Sequence, residues 1–321
     1  MSAPLLELRG LDIGWPGRCL ARGLDLDLEA GTTVAVVGDN GAGKSTLLAT
    51  LAGLQRPLAG SVHTGGRPIE QLALAARARA ITWCGARFER PLAMSGIELV
   101  RLGRLPHGGR RSDDDAAVAR ALEATGSTEL AERAVSELSD GELQRLWLSR
   151  ALAQASPVML FDEPTAHLDV VHRHHFTSTL RRLAAAGHVC VIATHDLELA
   201  LELPDRLLVI ASGSFHHGGP EDLALAGVLA QTLAGGTLEL DPQRLRFRPT
   251  AAGPRVWLDI PAGPVRGWTH NAIERAGCRL GAPGDPTVGY DGGTWRLPTG
   301  EVVASLAALV RHLRAATAVR E

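Results

Sequence analysis

Among 33 lysine and arginine residues, Lys44 is the sole lysine, and it stands in the run Gly38-Asp39-Asn40-Gly41-Ala42-Gly43-Lys44-Ser45-Thr46. That run fits G-x-x-x-x-G-K-[ST]. Its glycines let successive backbone N–H groups converge on phosphate oxygens, and the N-terminus of a following helix adds partial positive charge. Lys44 has the reach for β and γ phosphates, and Ser45 has the hydroxyl to hold Mg²⁺. A second run, Val158-Met159-Leu160-Phe161-Asp162-Glu163, is an apolar stretch ending in two carboxylates. Asp162 suits the organisation of Mg²⁺, and Glu163 suits the orientation and activation of an attacking water as general base. Either run alone has structural explanations. Together they point to a nucleoside-triphosphate site.

Particular elements must position these residues. Val34–Val37 is a continuous apolar run, as for a strand buried on both faces, and it leads into the glycine turn and then an apolar segment at helical spacing, Lys44–Leu54. Gly23–Leu28 alternates apolar and polar residues, as a half-exposed antiparallel strand does. Further strands are expected at Val158–Phe161 and Val189–Ala193, with helices over Asp113–Thr125, Asp140–Gln154 and Val170–Ala185. Strands alternating with helices imply an α/β domain with a mostly parallel sheet. Arg248–Pro254 has the composition of a linker. Beyond it the pattern predicts a strand at Val256–Ile260, a helix at Val265–Ala276, a hairpin from Thr287–Tyr290 to Thr294–Leu297 and a closing helix over Glu301–Ala315. Trp257, Trp268 and Trp295 are the natural core of that small α+β appendage.

Composition narrows the function. Hydrophobic residues at 45% and charged residues at 21% exclude a disordered chain. A net charge of −2 gives no electrostatic footprint for nucleic acid. Cys19, Cys84, Cys190 and Cys278 are too widely spaced for a zinc site and read as reduced structural thiols. No signal peptide or membrane-length apolar run is expected, so any membrane role must come through a partner. His172, His174 and His175 at the start of a helix, and His216-His217 in a turn, read as polar surface.

Between the phosphate loop and the second carboxylate run lies Leu138-Ser139-Asp140-Gly141-Glu142-Leu143-Gln144-Arg145, followed by a helix. This resembles the signature, usually written LSGGQ, of ABC-transporter ATP-binding subunits. Thr165-Ala166-His167-Leu168-Asp169 is similar to that family's D-loop, and Thr194-His195-Asp196 to its switch-histidine loop. Trp15 stands where the family places an aromatic that stacks on adenine. The resemblance covers residues 4 to about 248. It implies a P-loop NTPase of ABC-ATPase type, α/β, with a mixed sheet core, an antiparallel β subdomain and a helical subdomain over about 85–155. Residues 1–248 form this ATP-binding domain, and 249–321 a small α+β accessory domain of unassigned role.

The resemblance also implies roles. ATP with Mg²⁺ is bound by Trp15 and by Gly38, Asn40, Gly41, Ala42, Gly43, Lys44, Ser45 and Thr46. Ser45 and Asp162 hold the metal, while Glu163 and His195 are catalytic. Ser139, Gly141, Glu142 and Asp169 contact ATP, or the partner, across a head-to-tail homodimer, because one loop and one signature facing opposite ways cannot complete a site alone. The implied partners are a transmembrane permease and, indirectly, a substrate-binding protein, with the subunit peripheral on the cytoplasmic face of the membrane. Glu98–His107, Ser112–Thr125, Asp169–His172 and Gly218–Leu223 are similar to the importer branch that takes up ferric siderophores, haem and cobalamin. A degenerate, non-hydrolysing regulator, an exporter ATPase and a soluble ABC-type ATPase acting on DNA or ribosomes are the rival readings. The latter lacks support in long coiled coils, paired ATPase domains or basic linkers. Two departures stand out. Asp140 replaces a signature glycine, and Ile81–Arg87 lacks the glutamine that the family places after this strand.

Overall fold

The computed structural model describes residues 3–86, 89–91, 93–108, 111–166, 168–233, 238–241, 246–249 and 253–318. Arg87, His167 and residues 250–252 of the expected linker lie outside them. The chain divides into two compact units. One comprises Met1–Gly235 with Leu240–Arg246, the other Gly236–Glu239 with Phe247–Glu321.

The larger unit is built on ten strands: β1 (Leu6–Trp15), β2 (Arg18–Leu28), β3 (Thr33–Gly38), β4 (Ala59–Thr64), β5 (Arg67–Pro68), β6 (Ile81–Cys84), β7 (Val158–Asp162), β8 (Val189–Ala193), β9 (Arg206–Ala211) and β10 (Ser214–Gly218). Their order in the sheet is β5-β4-β1-β2-β10-β9-β3-β8-β7-β6. Strands β9, β3, β8, β7 and β6 run parallel. This explains why β3, β7 and β8 are buried at every position: helices cover both faces, so their sequences carry no polar alternation. The β5-β4-β1-β2 wing is antiparallel. There Leu24, Leu26 and Leu28 of β2 are buried while Asp25 and Asp27 face solvent, the period-2 pattern of a half-covered sheet. One residue pair, Ser214 with Arg22, joins the wing to the rest.

Helices α1 (Lys44–Leu51), α2 (Leu74–Ala80), α3 (Gly96–Arg101), α4 (Arg111–Ala124), α5 (Asp140–Ala153), α6 (Val170–Ala185), α7 (Leu197–Glu202), α8 (Pro220–Leu225) and α9 (Val228–Leu233) complete the unit. Leu47, Leu48 and Leu51 of α1 enter the main core with Leu6, Val36 and Ile210. Helices α3, α4 and α5 bury a cluster of their own that includes Leu99, Val118, Leu122 and Leu146. No described helix is long and apolar enough to cross a membrane.

The smaller unit holds a five-stranded sheet of β13 (Arg255–Asp259), β14 (Arg279–Leu280), β15 (Thr287–Asp291), β16 (Thr294–Arg296) and β17 (Val302–Val303), in the order β14-β13-β15-β16-β17. Helices α10 (Pro264–Arg275) and α11 (Leu306–Ala318) supply Ile273, Leu309 and Leu313 to its core. Four expectations are corrected. His216 and His217 stand exposed on strand β10 rather than in a turn. The segment read as linker contributes to a strand, β12 (Arg246–Pro249), paired with β11 (Leu238–Asp241) in a two-stranded sheet. The closing helix starts at Leu306 rather than Glu301, because Val302–Val303 pairs with β16. Trp268 is 65% exposed and no part of the core. Trp295 does pack on that core, its indole N–H donating to Thr269 Oγ1 at 2.8 Å.

Candidate nucleotide site

The phosphate loop follows β3 without a break. Gly38 has φ 156°, and a Cβ there would lie 2.5 Å from the Ile210 carbonyl oxygen, so only glycine fits the passage from strand to loop. Gly43, left-handed at φ 112°, caps α1 with no side chain over the amide groups of its first turn. Lys44 is 6% exposed, and its ammonium donates to the carbonyls of Gly38 at 2.7 Å and Asp39 at 3.2 Å. These bonds fold the loop around the lysine.

The second carboxylate run ends β7 beside this loop. Asp162 is 3% exposed, near the Ser45 hydroxyl. Burial raises the Asp162 carboxyl above its ordinary range, against the pull of Ser45, Lys44 and His195. Glu163 follows in a left-handed backbone conformation, φ 50°, which turns its side chain off the strand and toward the loop. Its carboxyl is likewise raised by burial, opposed mainly by His195. Burial pushes the Lys44 ammonium down, opposed by Glu163, Asp162 and Asp39. One desolvated cation thus faces two desolvated carboxylates.

His195 closes the group from the end of β8. Its backbone N–H donates to Glu163 Oε2 at 3.3 Å, its Nδ1 lies 3.4 Å from Lys44 Nζ, and its Nε2 lies 3.2 Å from Glu163 Oε1. A lysine ammonium can only donate, so Nδ1 accepts and the ring proton sits on Nε2. The Nε2 contact falls outside hydrogen-bond alignment. Glu163 Oε1 is therefore buried without a hydrogen-bond partner among the described residues.

Lys44, Glu163 and His195 share a cleft of about 370 Å³ lined also by Trp15, Arg18, Leu20, Asn40, Gly41, Gly43, Ser45 and Thr46. Trp15, 54% exposed, forms its outer wall. Arg18 and Leu20 were not foreseen from sequence. The signal was the short Pro16-Gly17 turn, which makes Trp15 and Arg18 cross-strand partners and puts both at the same end of the hairpin.

Seven candidate residues do not line this cleft: Gly38, Ala42 and Asp162, which belong to the loop and strand beneath it, and Ser139, Gly141, Glu142 and Asp169, which lie at the starts of α5 and α6. Ser139 caps α5. Its hydroxyl and backbone N–H donate to Glu142 Oε2, each at 2.8 Å, and Glu142 N–H lies 3.3 Å from the Ser139 oxygen. These bonds, with Arg133 at 2.6 Å, hold the Glu142 carboxyl below its usual range. Gly141 sits in the first turn of that helix. Asp169 caps α6, accepting from the backbone N–H and the Nδ1 of His172, each at 2.8 Å. His172 is more than a polar surface group, since its Nε2 accepts from Arg145 of α5 at 2.8 Å. Asp140, the unexpected signature residue, is paired with Arg90 at 2.7 Å.

Comparison with known proteins agrees with this geometry. The family model for ABC transporters matches residues 21–166. A hemin import ATP-binding protein of Myxococcus xanthus is 39% identical over 80% of this chain and 97% of its own length. A cobalamin import ATP-binding protein of Halobacterium salinarum is 41% identical over 67% of this chain. That second match spans 54% of the Halobacterium protein, so this chain corresponds to about half of it. Among solved structures, the ATP-binding subunit of an ABC transporter superposes with a TM-score of 0.64, at 21% identity, over 72% of this chain and 97% of that one. A dimeric bacterial ABC transporter cassette gives 0.61, at 23% identity, over 67% and 98%. Sequence likeness and fold agree, and the chain belongs to the ATP-binding proteins of ABC transporters.

Proposed function

We propose that this chain is the ATP-hydrolysing subunit of a membrane importer, acting as a head-to-tail homodimer beneath a permease on the cytoplasmic face. The observation that carries the hydrolytic reading is Glu163 Oε1, a buried carboxylate oxygen without a hydrogen-bond partner among the described residues, set in the cleft beside Lys44 and His195. A carboxylate in that setting accepts a proton from water as the water attacks a γ-phosphate, and its raised affinity for protons suits it to the task. His195 Nε2–H orients the water or the γ-phosphate oxygen. Lys44 and the backbone amides of the loop neutralise charge that grows on the transferred group. Trp15 offers an adenine a stacking surface, a contact worth about 1–3 kcal/mol.

The neighbouring oxygen donors of Ser45 and Asp162 suit Mg²⁺, which prefers hard oxygen ligands. Those two residues would hold it, and it would supply charge neutralisation at the phosphates.

Ser139, Gly141, Glu142 and Asp169 stand outside the cleft, at the N-terminal ends of α5 and α6. A second copy would bring its own signature to this phosphate loop, placing the N-terminus of its α5 against the γ-phosphate. The names of the relatives support a cargo such as haem, cobalamin or a ferric siderophore, the last also through an achromobactin transport ATP-binding protein of Dickeya dadantii, 35% identical. A substrate-binding protein would deliver that cargo to the permease. Glu163→Gln tests the core of the proposal. Turnover should fall on the order of 10²–10⁴-fold, as for loss of a general base, while ATP should still drive a stable dimer on gel filtration. Undiminished hydrolysis would remove Glu163 from the role.

A further inference from the structure

Glu163 is held in an unfavourable conformation, and one side chain outside the cleft touches the backbone that keeps it there. A non-glycine residue in the left-handed region is strained and persists only where its surroundings over-determine it. The backbone N–H of Glu163 donates to the Ala193 carbonyl at 2.9 Å, which ties the residue to β8. On the other side, the Gln144 amide Nε2 lies 3.3 Å from the Glu163 carbonyl and 2.7 Å from the Pro164 carbonyl. Gln144 is fully buried. Proline at 164 has no N–H, so its carbonyl is its sole backbone hydrogen-bonding group. A single amide thus spans two successive peptide units, and rotating either would swing the Glu163 carboxylate.

Gln144 belongs to α5, the helix capped by Ser139, so the amide that grips Glu163 moves with the signature. We propose that Gln144 is a positioning residue that fixes the Glu163 turn, so that the seat of α5 sets where the Glu163 carboxylate points. This rests on Glu163 acting as the general base. The consequence is a link within one chain. Docking of the signature end of α5 on one nucleotide aligns the carboxylate serving the other nucleotide, the one in the chain's own cleft.

Gln144→Glu provides the test, because a carboxyl group donates to carbonyls only when protonated. Facing two carbonyl oxygens in a buried site, the new carboxyl titrates well above its usual range. Full-length wild type, Gln144→Glu, Gln144→Met and Glu163→Gln are compared in steady-state ATP hydrolysis from about pH 8.5 to about pH 6. The kcat of Gln144→Glu relative to wild type should rise about tenfold as pH falls, while Gln144→Met should lose on the order of tenfold to a hundredfold in kcat with the KM for ATP within about twofold. A flat ratio overturns the proposal, whatever the loss in the methionine variant. Should Gln144→Glu fail to fold, Gln144→Met decides: unchanged kcat, or kcat that falls only in step with the thermal midpoint, overturns it. Glu163→Gln distinguishes the two levels. If it hydrolyses like wild type, the base assignment fails; if it is inactive while the Gln144 ratio stays flat, only the positioning proposal fails.

Discussion

At the scale of the residue, the cleft concentrates charge that the fold by itself does not favour. Glu163 has its folded-state pKa raised above the ordinary 4.5, chiefly by burial. Two consequences follow from that sign. As a base, the carboxylate is lost to protonation as pH falls through the raised value, so the acid limb of the kcat/KM profile should lie above 4.5. As a contributor to stability, the group binds protons more tightly folded than unfolded. Its favourable contribution is therefore fully present below pH 4.5 and lost as pH rises through the folded value. Glu163→Gln should accordingly raise the thermal midpoint of the nucleotide-free protein by a few degrees at neutral pH, and the gain should vanish under acid. A variant less stable than wild type at neutral pH would show that the Lys44 and His195 attractions outweigh desolvation.

At the scale of the element, local pattern and long-range pairing separate what could be read in advance from what could not. The buried parallel strands announced themselves as continuous apolar runs, and Val170–Ala185 and Val189–Ala193 have the bounds that periodicity predicts. The convergence of Lys44, Glu163 and His195 was legible because each follows a buried strand, and parallel neighbours deliver their ends to one edge. Arg18, the β11-β12 pairing and the exposed Trp268 were not, since each depends on partners distant in sequence or on which face a helix turns inward. Asp140 belongs to the same class. Asp140 puts a negative charge at the signature, yet Arg90 approaches from another segment, pairs with it and also donates to the Leu138 carbonyl. The pair is exposed, with Asp140 80% accessible, so it contributes only about 0–1 kcal/mol to the fold. Its weight falls on the nucleotide instead. Arg90→Ala should leave the thermal midpoint nearly unchanged and weaken ATP-driven dimerisation about tenfold, through an uncompensated negative charge beside the γ-phosphate. Adding Asp140→Gly should restore the dimer. A double variant as weak as the single would mean that the Leu138 contact, rather than charge, is what Arg90 provides.

At the scale of the whole molecule, two units with separate cores imply two cooperative transitions. The larger buries Leu6, Val36 and Leu48 with their neighbours, the smaller Leu258, Ile273 and Leu309. Every residue lining the nucleotide cleft belongs to the larger unit. A ligand stabilises what must unfold to release it, by about 2.7 kcal/mol at a hundredfold excess over its dissociation constant. Such an increment should therefore move one transition and spare the other. Calorimetry of the full chain with Glu163→Gln, which should hold ATP without consuming it, should show the larger transition shifting upward with ATP concentration while the smaller stays within about a degree. Were both to move together, the smaller unit would share the free energy of nucleotide binding. The accessory unit would then belong to the ATP cycle rather than ride beside it.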